Sequence, residues 1–494
     1  MDRTANLPDW IGWRNAPWIT ACIAAFVFLA SNVDLAPSLQ WHDGQRLGQL
    51  LLLTVLLGLM LWPAHWRGVS DAWSCLQPWT RWAWSTAFLL GLASSVMAAL
   101  PRWALLEWGL LWLLLIVMFS VAAQRRTYGG KFDGWLVVLF FATATAYAVS
   151  SAVIYLTMLL AGPSYGQAFN VLELYHGFSN VRFFGYLQTM LLPFLLLPAL
   201  WWGTTPVRRI LFWSVPIAWW MLVVGSGSRG TWVALLVGMV AVLLFAGQPG
   251  RQWMRWQLAA LIGGGVCYGV FVLLVPQWLA QPAVYLHRSG EIMSLSLREV
   301  LWVEALHFSW HQPWLGIGLM HYAHTAARIA AHPHNAVLQW LAEWGVPAAL
   351  LLTALCAMAG LVFAGYVRRV VQASTDTRVP VQVALLAALA GAAAQAMVDG
   401  ILVMPVSQTL LVLLCGWAMG LYFEERGRTA YSGIIGRTAL AAMTLTAAIV
   451  VAWGVTPEIG RIAEREVAYL AAYPPENPAL PNLMPRFWTQ GRIE

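Results

Sequence analysis

The sequence predicts an all-α, polytopic integral membrane protein, and three observations carry that expectation. The 494 residues are 60% apolar and only 10% charged, whereas a soluble domain carries roughly 25% charged residues. Apolar runs long enough to cross about 30 Å of hydrocarbon recur from one end of the chain to the other. The 31 tryptophans suit the two membrane interfaces, where an amphipathic ring meets both lipid and water. The first apolar run, Trp18 to Ala30, lacks a small-residue cleavage site and reads as an anchor, so no cleavable signal peptide is expected.

A hydropathy window of roughly 19 residues gives about thirteen spans. They fall near 17–34, 46–63, 82–100, 103–123, 134–160, 181–203, 208–225, 230–247, 257–280, 336–366, 380–403, 405–423 and 434–455. Pro101 and Pro405 each separate two closely spaced spans, because proline cannot continue a helix across the turn. Between the fifth and sixth spans runs GPSYGQAFNVLELYHGFSN, about 161–180. The segment 281–335 is longer than a connector needs to be, and loops beyond about 15 residues fold locally or carry function. Within it REVLWVEALHFSWHQ has helical spacing, and PWLGIGLMHY is broken by glycines. After Thr456 come a short amphipathic helix and a proline-rich extension ending PRFWTQGRIE. The expected architecture is about 12–13 transmembrane helices with a large helical outer loop before the tenth. Three regions follow: N-terminal helices over 1–160, a membrane core over 161–430 that includes the loop 281–335, and a last span with its tail over 431–494.

Orientation follows from the arginines. Arg67 and Arg81, Arg125 and Arg126 with Lys131, Arg208 and Arg209, Arg251 and Arg255, Arg368, Arg369 and Arg378, and Arg426, Arg428 and Arg437 occupy alternate loops. Positive loops stay on the cytoplasmic side, which puts the amino terminus, with Arg3 and Arg14, inside and the tail outside. The formal charge of +7 is spread between helices and gathers in no single patch, so nucleic-acid binding is not expected. Cys22, Cys75, Cys267, Cys356 and Cys415 lie mostly in apolar helices without paired or metal-type spacing and read as packing residues.

Several ionisable residues fall on the wrong side of that charge rule, where a charge is costly and marks a candidate site. Arg182 stands in SNVRFFGYLQT, Arg229 in the GSGSRGTW turn, and Arg298 opens a helix of the outer loop. A planar guanidinium matches phosphate oxygens two at a time, and a Gly/Ser turn at a helix start exposes N–H groups that favour an anion. Alternatively each arginine reaches the interface or pairs with Glu173, Glu299 or Glu304. His307 and His311 have the four-residue spacing of zinc ligands, but no cysteine or HExxH pattern accompanies them, and no metal is expected. His332-Pro333-His334-Asn335 precedes the tenth span, with Gln339 and Glu343 following. A histidine there suits proton abstraction from a hydroxyl; alternatively His334 or Asn335 caps the helix. Asp399, at the outer end of the eleventh span, either pairs with an arginine or orients a histidine.

Taken together, these segments resemble the bacterial O-antigen ligase and polymerase superfamily, which includes the protein O-oligosaccharyltransferases. The likeness covers roughly 170–420 and is strongest over REVLWVEALHFSWHQPWLGIGLMHY and HPHNAVLQWLAEWGVPAALLL; GSGSRGTW resembles the family's Ser-Arg-Gly turn. The resemblance implies transfer of a preassembled glycan from undecaprenyl diphosphate to an acceptor hydroxyl on the periplasmic face of the inner membrane. It matches Arg229 and Arg298 to the diphosphate-binding arginines and His334 to the catalytic histidine. His332 duplicates that histidine, and Arg182 is added as a further phosphate contact. Asn335, Asp399 and Glu343 are candidate supports, and no cofactor is implied.

The acceptor distinguishes the relatives. NVRFFGYLQT followed by LLPFLLLP, and the PRFW ending, look most like the pilin-type O-oligosaccharyltransferases. The expected partners are therefore the lipid-linked donor, membrane lipid, and a pilin or other exported protein. An O-antigen ligase acting on lipid A–core, or a polymerase, is the alternative. A lipid-linked glycan transporter is the contrasting class, but the unusual charges gather at one face and not at mid-membrane, where transporter sites lie.

Overall fold

The computed structural model describes residues 17–60, 63–165, 168–284, 297–325, 330–373, 379–425, 433–472 and 484–493. The chain is an all-α polytopic membrane protein. Among the described residues nine helices are long and apolar enough to cross a membrane: Pro101–Tyr128, Gly130–Leu160, Val181–Trp202, Pro206–Gly225, Gly247–Trp278, Val346–Gln372, Val379–Ala396, Pro405–Glu425 and Ile434–Ile459. Trp18–Asn32 and Arg229–Phe245 are apolar but shorter, and Trp41–Met60 and Pro78–Met97 are twenty-residue helices. Arg3, Arg14, Arg378, Arg426 and Arg428, used above for orientation, lie outside the described residues.

Three boundaries differ from expectation, each for a local reason. The span expected over 336–366 is two helices, Ala336–Trp344 and Val346–Ala373, parted by Gly345 at φ +80°. A Cβ at Gly345 would sit 2.5 Å from the Trp314 carbonyl oxygen, so only glycine lets the outer loop pass so close. The span expected to end near 403 stops at Ala396, and a turn carries the chain from there to the helix at Pro405. The second span starts at Trp41, five residues earlier than expected, with His42, Asp43, Gln45, Arg46 and Gln49 all buried. The two outer segments are also joined directly: Phe169–Asn170 pairs in parallel with Ala283–Val284.

The tryptophans divide between surface and core. Trp82, Trp278, Trp310 and Trp314 are exposed, as an interfacial belt requires, but Trp103, Trp219, Trp220 and Trp417 are among the largest fully buried side chains. Three of those four indole N–H groups are satisfied inside, by the Ala144 carbonyl, Gln257 Oε1 and Asp133 Oδ1 respectively for Trp219, Trp220 and Trp417, which is what a buried indole needs.

The helices Val181–Leu191, Arg229–Phe245 and Val379–Ala396 pack on one another. Their contacts are made by small residues: a Cβ at Gly185 would fall 2.1 Å from Thr231 Oγ1, and one at Gly238 would fall 2.5 Å from the Ala387 carbonyl oxygen. Close backbone approach of this kind is how helices associate within lipid. It brings two helix starts and one helix end together.

Candidate active site

Each of the three arginines opens a helix. Arg182 is the second residue of Val181–Leu191, whose first turn is capped by Asn180 Oδ1 accepting from the Arg182 N–H at 2.9 Å. Arg229 is the first residue of Arg229–Phe245 and follows Gly227, whose φ of +58° makes the turn. Arg298 starts Arg298–His311, which packs against Ala336–Trp344. All three are partly exposed. Burial lowers the Arg298 pKa from its ordinary value, the Asp399 charge opposes that shift, and Arg182 and Arg229 add to it; arginine nonetheless stays charged at neutral pH. The arginines thus lie within one electrostatic neighbourhood, together with Asp399 and Tyr186. Arg298 Nε is buried and finds no hydrogen-bond partner among the described residues.

Asp399 is the centre of the arrangement. It is 4% exposed, accepts from the Tyr186 hydroxyl at 2.7 Å and from the Gly400 N–H at 3.0 Å, and lies 3.4 Å from His334 Nδ1. Burial alone would raise its pKa, but His334, Tyr186 and Arg182 together outweigh burial and hold the carboxyl below its ordinary range. The group is a carboxylate at neutral pH, beside the His334 imidazole and within electrostatic reach of Arg182 and Arg298.

The two histidines have different environments. The His332 side chain is 3% exposed, and a Cβ at Gly400 would fall 2.6 Å from its Cε1. Its Nδ1 accepts from the backbone N–H of His334 at 3.3 Å. Burial first, and the His334, Arg486 and Arg298 charges after it, hold its pKa well below the ordinary histidine value, so it is neutral. The His334 side chain is 19% exposed, and its backbone occupies the left-handed region at φ +53°. A non-glycine residue held there stores strain that the surroundings must maintain, a pattern found at active sites. The holders are visible: the Trp302 indole donates to the Pro333 carbonyl at 3.0 Å, and Asn335 Nδ2 donates to the Met397 carbonyl at 3.0 Å. Asn335 is also the helix cap, its Oδ1 accepting from the Leu338 N–H at 3.0 Å; His334 is not.

Arg182, Arg229, Arg298, His332, His334, Asn335 and Asp399 are therefore brought together. Glu343 stands apart, at the far end of Ala336–Trp344, where its carboxylate takes the Arg486 guanidinium at 2.6 Å and the Tyr322 N–H at 3.2 Å. The glycine turn of the outer loop packs beside it: the Ile317 and Gly318 N–H groups donate to the Ala342 and Glu343 carbonyls at 2.9 and 3.2 Å. Sequence reasoning missed Tyr186, although it lies four residues after Arg182 and so on the same helix face. It also missed Arg46 and Arg486, described below. The His307 and His311 rings are 4.1 Å apart, with His311 Nδ1 bonded to the His307 carbonyl at 2.9 Å. Among the described residues no three His, Cys, Asp or Glu side chains converge as metal ligands.

No curated protein matches the chain. A family model described as O-antigen ligase matches residues 213–353, the stretch that holds Arg229, Arg298, His332, His334, Asn335 and Glu343, with Arg182 and Asp399 outside it. Over residues 213–353 this polytopic membrane protein is similar to the O-antigen ligase family, a likeness that supports a glycosyltransferase-type activity.

Proposed function

We propose that the protein moves a preassembled glycan from undecaprenyl diphosphate to an acceptor hydroxyl at the periplasmic face of the inner membrane, with a pilin or other exported protein as acceptor. The observation that carries this reading is the grouping of Arg182, Arg229 and Arg298 about a carboxylate that also faces His334. The arginines and the N-termini of their helices receive the diphosphate, since both present positive charge to an anion. Asp399 faces His334 Nδ1, which leaves Nε2 to take the proton of the acceptor hydroxyl. The hydroxyl oxygen attacks the anomeric carbon, and the bond from that carbon to the diphosphate oxygen breaks. The electron pair leaves with undecaprenyl diphosphate, whose growing charge the arginines stabilise. Attack from the face opposite the leaving group inverts the anomeric centre. His332, neutral and buried, supports the His334 backbone and takes no proton.

Ligation to lipid A–core is the second reading, favoured by the description of the matched family. Purified protein supplied with labelled lipid-linked glycan and either pilin or lipid A–core distinguishes the two. Label on pilin alone supports the proposal. Label on lipid A–core alone replaces it with the ligase reading, and label on neither, with active donor, removes both.

A further inference from the structure

The segment Met484–Ile493 lies inside the bundle. Arg486, Phe487, Trp488, Thr489 and Ile493 are each at most 4% exposed, although the sequence leads one to expect an outer extension. Its backbone is held by the polar face of Trp41–Met60. Arg46 donates to the Phe487 and Arg486 carbonyls at 3.0 and 3.2 Å, and Asp43 accepts from the Thr489 N–H at 2.6 Å. The Arg46 guanidinium also lies over the Phe487 ring, 4.9 Å from its centroid. Burying two arginines is costly unless each is paired and hydrogen-bonded; Arg46 donates through Nε, Nη1 and Nη2, and Arg486 donates through Nη2 to two carboxylates while its Nε finds no partner among the described residues.

The same two arginines reach the two segments that carry the reacting pair. Arg486 Nη2 donates to Glu343 at 2.6 Å and to Glu107 at 2.9 Å. Glu343 sits on the helix Ala336–Trp344, which begins directly after His334 and Asn335. Arg46 Nη2 donates at 2.7 Å to the Val403 carbonyl, in the turn that starts with Asp399 and Gly400. Farther out, His324 Nδ1 meets the Ile493 carbonyl at 2.9 Å, tying the outer loop to the same segment. His334 and Asp399 are 65 residues apart in sequence; the His334 element is fastened to Met484–Ile493 directly through Arg486, and the Asp399 element through Arg46.

We propose that Met484–Ile493 sets the spacing of His334 and Asp399, with Arg486 as the positioning residue. This rests on the reading of the site given under Proposed function. Removing the Arg486 guanidinium frees the Glu343 end of the His334 helix while leaving Arg182, Arg229 and Arg298 in place. Misplacement of a reacting group by about 1 Å costs roughly 100-fold in rate.

The test uses the full chain carrying Arg486→Gln, Arg486→Lys, and the double change Arg486→Gln with Glu343→Gln, which leaves no lone charge at the fully buried Glu343, while Glu107, the other partner of Arg486, is part-exposed. For each, kcat and the KM for lipid-linked donor are measured alongside hydrogen exchange over 330–345 and 397–404. Expected are a kcat lowered roughly 10- to 100-fold with donor KM unchanged, partial recovery in Arg486→Lys, and faster exchange confined to those two segments. Wild-type kcat and exchange in a folded Arg486→Gln or double variant would overturn the proposal. So would a kcat loss that merely follows the loss of folded protein. If the wild-type chain transfers no glycan, the functional reading fails, while the exchange measurement still decides whether the segment holds the two elements.

Discussion

Replacing Asp399 by Asn removes one charge and almost no volume, so it isolates the electrostatic part of the site. The carboxylate accepts from Tyr186 at 2.7 Å and from the Gly400 N–H at 3.0 Å. Both bonds survive on the Asn carbonyl but become bonds to a neutral acceptor. A hydrogen bond to a charged group is worth about 1.5–3 kcal/mol against about 1 for a neutral pair. The two together therefore cost on the order of 2 kcal/mol of stability, which a folded membrane domain tolerates. The consequence at His334 is larger. The oxygen that takes those two bonds is also the one 3.4 Å from His334 Nδ1, so an Asn carbonyl in its place still faces Nδ1 but no longer offers a negative charge to the imidazolium that forms there. Without that charge the imidazolium formed on proton uptake is less stable, so kcat should fall by at least about tenfold, up to the roughly 10²–10⁴ that a general base supplies. Donor binding moves the other way or not at all, because the variant removes a negative charge beside the diphosphate. Steady-state transfer by purified protein, with folding checked by chromatography and melting, gives both numbers. A folded Asp399→Asn protein with kcat within about threefold of wild type would refute the assignment of His334 as the base oriented by Asp399. Tyr186→Phe is the companion: it leaves the charge and deletes one bond, so its kcat should fall by no more than about tenfold.

Other consequences are local. His332 is neutral in the folded protein because burial holds its pKa well below 6.5; the unfolded chain takes up a proton below about 6.5. Stability is therefore complete above that pH and falls by up to about 1.4 kcal/mol per pH unit as pH drops below it. His332→Gln should flatten the melting-temperature profile between pH 6.5 and 5; an unchanged slope contradicts the burial account. Asn335→Ala removes a helix cap and the bond to the Met397 carbonyl, and should cost about 1–2 kcal/mol in denaturation. Gly345→Ala forces a side chain into φ +80° and against the Trp314 carbonyl, and should lower the melting temperature more than any other single change named here.

The helices, their order and the three outlying arginines were legible because each leaves a local mark: a long apolar run, a proline, a charge where none belongs. The arginines could be grouped from one chain because each opens a helix at the same end. Tyr186 and Asp399 could not be paired, since they are 213 positions apart and side-chain pairing between distant helices has no periodic signature. Arg486 and Glu107, separated by 379 positions, are a stronger case. A hydropathy window counts His42, Asp43, Gln45, Arg46 and Gln49 against a membrane span, which moved the expected start of the second helix to 46. In the folded chain those residues are buried, His42, Asp43 and Arg46 bonded to Met484–Ile493 and Gln45 and Gln49 to other segments of the bundle. Window averaging likewise merged Ala336–Trp344 with Val346–Ala373 across Gly345, and carried the eleventh span through Asp399. The departure at Asp399 falls in the site itself, that at Trp41 where a buried polar face meets Met484–Ile493, and that at Gly345 where the loop backbone passes too close for a side chain.

The central claim is that the arginines grip a lipid diphosphate while His334 acts afterwards, on the acceptor. Its most direct measurement is the dissociation constant of undecaprenyl-diphosphate-linked glycan for wild type, Arg298→Gln and His334→Ala, in detergent without acceptor. A charge-assisted contact to phosphate is worth about 1.5–3 kcal/mol, so Arg298→Gln should weaken donor binding by roughly 10- to 100-fold. His334→Ala should bind the donor as wild type does and transfer none of it. Equal donor affinity in wild type and Arg298→Gln, or a loss of binding in His334→Ala as large as that in Arg298→Gln, would contradict this division of labour.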